Sequence, residues 1–170
     1  MKNDNRIEPN QLAKSVLLIE QNYPPMTLED HWFADQGSLT QKLSNMGQFT
    51  LTCYREMEIS LPESYWYREV VEYLDQVPIV WGLTLVPTET LKANPWIRQL
   101  GCRPIGKKLF KNTEWRRSPS KNYSLSPASE LLIHASELGI VEIKPYLRSS
   151  TFVSASGNLQ IFELFSKKLS

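Results

Sequence analysis

The stretch Phe49–Pro87 constrains the fold more than any other part of the chain. Phe49, Leu51 and Cys53 alternate with Thr50 and Thr52, and two further apolar runs, 65–74 and 79–86, flank Asp75-Gln76-Val77-Pro78. A period of two places alternate side chains on opposite faces of a strand, and the link between the second and third runs has hairpin length and turn-forming residues. Three strands in succession predict an antiparallel meander. Arg68 breaks the second run. It shares a face with Trp66 and Val70, whereas Tyr67 and Glu69 point the other way. A last pair of strands is predicted over 148–154 and 158–165, turning at Ser156-Gly157-Asn158, and it repeats the anomaly: Leu159, Ile161, Glu163 and Phe165 share one face.

Between the strands lie helix signals. Thr27 with Asp30 has capping-box spacing ahead of Trp32 and Phe33, and Ser38 with Gln41 repeats the box ahead of Leu39, Leu43 and Met46, with Gly47 as a stop. Asn94-Pro95 and Gly101 bracket a short helix at about 95–100, and Ser126-Pro127 opens another that Gly139 closes. Residues 112–127, rich in Ser, Pro, Asn and Arg, read as loop. Strands in runs with helices outside them predict an α+β domain: an antiparallel sheet with helices packed around it. At 170 residues the chain fits one domain, 1–170, with 1–25 as an N-terminal extension.

Lys and Arg number 19 against 18 acidic residues, so no basic stripe offers itself to nucleic acid and any bound anion is expected to be small. The start MKNDNRIEPN is polar, and no run approaches the roughly 18 apolar residues of a membrane span, so a cytoplasmic protein without membrane insertion is expected. Two cysteines, Cys53 and Cys102, and two histidines, His31 and His134, lack the spacing of a metal site.

The misfit charges are the informative residues. A guanidinium or carboxylate on an apolar face costs several kcal/mol unless it is paired or hydrogen-bonded. Arg68 and Glu163 could compensate each other in a structural ion pair. Alternatively, a closed cavity on that face could use Arg68 to hold a ligand carboxylate and Glu163 to take a hydroxyl or proton. Arg103, Lys107 and Lys108 read as a solvated loop, Trp115-Arg116-Arg117 as exposed, and His134 as an ordinary helical residue.

Several segments together resemble the chorismate lyase family: GSLTQKL at 37–43, FTLTCYRE at 49–56, YWYREV at 65–70, DQVPIVWGLTLVP at 75–87, LGCRPIGKKLF at 100–110, LRSS at 147–150 and IFELF at 161–165. The resemblance implies a sheet of about six antiparallel strands around an internal ligand site. It also implies conversion of chorismate to 4-hydroxybenzoate and pyruvate, an early step of ubiquinone-type quinone synthesis, without cofactor or metal. Carried over by position, the binding arginine falls on Arg68, the acidic residue on Glu163, and two main-chain contacts on Leu39 and Leu109. A monomer is expected.

Two departures stand out. The family's second arginine, in a G-R-T context, is replaced by Leu83 between Gly82 and Thr84, and Arg148, Lys107 or Lys108 are candidate substitutes. Residues 112–139 resemble an insertion. The same fold is similar to effector-sensing domains of bacterial transcription regulators, so a non-catalytic aromatic-acid sensor is the alternative.

Overall fold

The computed structural model describes residues 6–170; the first five residues of the extension expected over 1–25 lie outside the described residues. The architecture is α+β. Strands β1 (Phe49–Leu61), β2 (Glu63–Leu74), β3 (Val77–Pro87), β4 (Arg116–Arg117), β5 (Lys121–Ser124), β6 (Tyr146–Ser154) and β7 (Gly157–Phe165) form one sheet. Its order is β1-β2-β3-β7-β6-β4, with β5 also pairing β6, and every pairing is antiparallel. The sheet therefore has seven strands rather than about six, because β4 and β5 arise within the 112–127 stretch read as loop. Pairs of two and four residues are too short to leave a periodic signal.

The β2–β3 hairpin closes through Asp75 and Gln76 alone, at φ 49° and 67°, the two positive φ values of a two-residue primed turn that matches strand twist. Pro78 lies inside β3, where Glu72 pairs with Val80 and Tyr73 with Pro78, leaving Ile79 as the extra residue of a bulge.

Helix α1 (Pro9–Asn22) occupies most of the expected extension. Pro9 supplies the first-turn proline, and Leu12, Ala13 and Val16 form a buried stripe. Helix α2 (His31–Ala34) is capped by Asp30, which accepts from the Trp32 N–H, rather than by Thr27. Helix α3 (Leu39–Ser44) is capped by Ser38 accepting from the Gln41 N–H, as the spacing predicts, but it ends at Asn45 before reaching Gly47. Helix α4 (Thr88–Ala93) leads into a 3-10 turn at Pro95–Gln99, and α5 (Ile105–Lys111) occupies the segment read as a basic loop. Helix α6 (Glu130–Glu137) is capped by Ser129, three residues later than expected, and Gly139 at φ 98° follows it.

The sheet's two faces have different roles. On one, α1 and α6 cover Tyr67, Val71, Trp81, Leu83, Leu85, Phe162 and Leu164 in a continuous apolar layer. On the other lie two smaller clusters, one gathering α4, α5, Phe152 and Leu159, the other gathering α2, α3, Val80 and Phe165. The stretch 112–139 is integral to this packing, since Trp115 belongs to the second layer and Leu131 and Ala135 to the first. Among the described residues no helix is long and apolar enough to cross a membrane.

Candidate functional site

On the face away from α1 and α6, the pairing registers stack alternate residues into rows. Glu56, Arg68, Thr84, Ile161 and Ser150 form one row, and Cys53, Val70, Gly82, Glu163 and Arg148 form the next. The rows floor a cavity that α3 closes with Leu39 and Thr40 and α5 with Ile105, Gly106 and Phe110. Gly82 lies on β3 between Val70 of β2 and Glu163 of β7: a Cβ there would come 3.0 Å from Val70 Cγ2, so glycine keeps the floor open between the two strands that carry the misfit charges.

Arg68 is 1% exposed. Its Nη2 donates to the carbonyls of Gly101 (3.1 Å) and Arg103 (2.8 Å), and Nε stands 3.8 Å from Glu56 without a hydrogen bond. Burial lowers its pKa, partly offset by nearby Cys53 and Glu56. Glu163 does not pair with Arg68. Its Oε1 accepts from Arg148 Nε (3.0 Å) and Nη2 (2.8 Å), while Arg148 Nη1 donates to the Trp32 carbonyl. The mutual ion pair that the sequence allowed is therefore replaced by two separate arrangements. Arg148 has its donors committed, whereas Arg68 keeps a buried donor unused.

Two further charged residues line the cavity. Arg117, read as exposed, reaches in from β4; it donates to the Gly37 carbonyl (3.1 Å) and to Ser150 Oγ (2.7 Å), with Nε unpaired. Burial first, then the neighbouring Arg148 charge, bring its pKa down to about 10. Glu72 lies two residues beyond Val70 on the same face, and its Oε2 is buried without a partner. Burial first, then repulsion from Glu163, push its pKa up to about 8. Glu72 could have been found by extending the Arg68 face along β2. Arg117 had no such signal, because β4 is only two residues long.

Of the other expected positions, Leu39 lines the cavity; the Leu109 side chain is buried in the neighbouring apolar cluster, so only its main chain is left for the expected contact, and α5 presents Ile105, Gly106 and Phe110 to the cavity. Lys107 and Lys108 are exposed, and Lys108 stacks over Trp96. Leu83 faces the opposite layer, paired in register with Glu69, so the residue standing in the family's second arginine position does not border the cavity.

Behind the floor lies a second polar cluster. Glu69 is fully buried; Oε1 accepts from Arg55 Nε and Tyr67 Oη, both at 2.8 Å, and Oε2 from Trp81 Nε1 (2.8 Å) and His134 Nε2 (2.5 Å). Burial opposes its ionisation, but hydrogen bonds from His134 and Trp81 outweigh it and hold the pKa below the usual carboxylate range. His134 is thus a partner in a buried network rather than an ordinary helical residue.

The chain is thus an α+β domain whose antiparallel sheet carries an arginine-rich cavity on one face. The chain matches the family model described as chorismate lyase over residues 19–165, and it belongs to that family. Among curated relatives it is 35% identical over 111 residues to a chorismate pyruvate-lyase of Pectobacterium carotovorum, covering 55% of this chain and 63% of the relative. The match to the Pectobacterium atrosepticum enzyme of the same name also spans 63% of that relative, at 34% identity. A "Probable chorismate pyruvate-lyase" of Vibrio vulnificus is 31% identical over 72% of this chain and 76% of its own length. Among solved structures, the effector domain of PhnF from Mycobacterium smegmatis superposes with a TM-score of 0.54 at 14% identity, covering 79% of this chain and 91% of that one. The C-terminal domain of the histidine utilization repressor from Pseudomonas syringae gives 0.51 at 8% identity, covering 72% and 94%. These two likenesses concern the fold alone.

Proposed function

We propose that the protein converts chorismate to 4-hydroxybenzoate and pyruvate, in the cytoplasm and at an early step of ubiquinone-type quinone synthesis. The observation that carries this reading is the charge of the cavity. Its lining brings Arg68, Arg117 and Arg148 together against Glu163, with Glu72 neutral, and this positive excess persists with Glu56 counted 3.8 Å from Arg68, which suits a substrate with two carboxylates. Arg68 offers its free Nε to the ring carboxylate. Arg117, with its own free Nε, takes the enolpyruvyl carboxylate, the role that the residue at 83 does not fill.

Among the described residues no hydrogen bond falls on Glu163 Oε2, because Arg148 engages Oε1 only. Oε2 accepts from the C4 hydroxyl and holds the ring so that the C3–O bond lies poised to break. As that bond breaks, the hydrogen at C4 passes to the enolpyruvyl methylene carbon, the C–O electrons form the keto group, the ring becomes aromatic and the side chain departs as pyruvate. Aromatisation supplies the driving force, and the protein contributes position and a fixed electrostatic field in a water-poor site.

The test is to mix purified protein with chorismate and quantify both products against a protein-free control. Equal amounts above background support the reading. Saturable binding of 4-hydroxybenzoate without turnover would instead favour a sensor. Glu163→Gln is expected to lower kcat about a hundredfold with a smaller loss of 4-hydroxybenzoate affinity, since Gln keeps an acceptor for Arg148 but loses the charge. An unchanged kcat would remove Glu163 from the mechanism.

A further inference from the structure

We infer that Glu72 is a further ligand-positioning residue of this cavity, binding as a neutral carboxylic acid and coupling ligand binding to proton uptake. The inference rests on the reading of the cavity as a site for a hydroxylated aromatic acid. Three observations carry it. Glu72 is 8% exposed and lines the cavity. Its Oε2 is buried with no hydrogen-bond partner, so the site holds a polar atom that the folded chain leaves unsatisfied, and such atoms call for an explanation. Finally, Arg68, Val70 and Glu72 stand in line on one strand face, with Glu163 on the row between, so that a ring anchored through its carboxylate at Arg68 directs its opposite end toward both carboxyl groups.

The charged neighbours fix the protonation state that can serve there. From β7, Glu163 repels a second carboxylate; from β2 and β6, Arg68 and Arg148 attract one, but Arg148 is already bonded to Glu163. Arg117 enters from β4, Cys53 on β1 is a thiol pushed up to about 11, and α3 and α5 contribute only uncharged lining residues. An incoming carboxylate adds another negative charge to this surrounding. Glu72 therefore binds ligand as its acid, whose O–H donates to the ligand hydroxyl oxygen while that hydroxyl donates to Glu163. When Glu72 has lost its proton, one proton is taken up for each ligand bound, and affinity falls as pH rises through about 8. A ligand lacking the hydroxyl leaves two carboxyl groups unsatisfied, which makes Glu72 a specificity determinant as well.

The experiment is calorimetric titration of the protein with 4-hydroxybenzoate at pH 7 and pH 9, in buffers of different ionisation enthalpy, for wild type and Glu72→Gln. Glutamine retains the shape and a donor but has no proton to gain. Wild type is expected to lose roughly tenfold more affinity than Glu72→Gln between the two pH values, since each pH unit above the pKa costs up to tenfold. It is also expected to take up close to one proton per ligand at pH 9, where Glu72→Gln takes up less. The ligand's own phenol titrates equally in both proteins and cancels. Parallel pH profiles and equal proton uptake would overturn the inference while leaving the proposed reaction standing. Should Glu72→Gln not fold, the wild-type proton count at pH 8 decides the matter, because a phenol titrating at about 10 contributes little there: about half a proton per ligand is expected, and none would overturn the inference. Failure of 4-hydroxybenzoate to bind wild type at pH 7, together with absence of turnover, would remove the proposed function and this inference with it.

Discussion

Arg68→Ala is expected to lower kcat/KM for chorismate about a thousandfold and to leave a folded protein. The side chain is buried at the cavity floor and holds a donor in reserve, with its other contacts going to the carbonyls of Gly101 and Arg103. Truncating one partner of a desolvated charge pair costs about 2–5 kcal/mol, and 1.4 kcal/mol is tenfold, which gives this scale. The folded state should suffer less than the site, because the ion pair of Arg68 with Glu56 is long, 3.8 Å, and carries no hydrogen bond. The measurement is steady-state kinetics with a melting curve on the same sample. Normal turnover would dismiss the site assignment. Loss of structure with full activity per folded molecule would make Arg68 a structural residue.

Glu69→Ala, one residue further along β2, is expected to do the opposite. It removes the carboxylate on which Arg55, Tyr67, Trp81 and His134 converge, leaving buried donors and a guanidinium uncompensated. Breaking a buried pair from one side costs about 3–5 kcal/mol. For a chain of this size that corresponds to a melting temperature lower by roughly 10 °C. Activity per folded molecule should fall far less than in Arg68→Ala, since Glu69 lies behind the floor. The wild-type network also has a pH signature. A carboxylate whose folded pKa lies below its unfolded value contributes stability above the unfolded pKa and loses it as pH falls through the folded one, so Glu69→Ala should flatten the acid limb of the stability profile. A melting temperature within 2 °C or so of wild type would show that the network contributes little.

How much of this was legible in the sequence depended on strand length. The long strands β1, β2, β3 and β7 carry several periods of alternation, so the sheet, and the placing of Arg68 and Glu163 on one face, could be read directly. The partners of those charges could not. Arg148 and Glu56 meet them only through cross-strand register, and sequence separation gives no access to register. Helix α1 was missed although Leu12, Ala13 and the run 16–19 carry an apolar stripe, because the polar start ahead of it made the segment read as an extension. Helix α5 was hidden because Lys107 and Lys108, on its exposed side, dominate the segment. Leu83 is a further case: a missing arginine reads as the loss of a ligand partner, and only the observed pairing of Arg68 with Thr84 shows that residue 83 lies on the other face.

The hairpin between β2 and β3 has a consequence for how the chain folds. Side-chain direction alternates along a strand, so a slip of one residue would bring Glu69 into the cavity and leave the Arg68 guanidinium in the apolar layer. The two-residue turn at Asp75-Gln76 and the bulge at Ile79, whose carbonyl accepts from the Ser166 N–H at 2.8 Å, admit one alignment. A misaligned chain would forfeit ligand recognition and the Glu69 network together. Cellular quality control, which acts on unstable chains, would thereby also remove inactive ones.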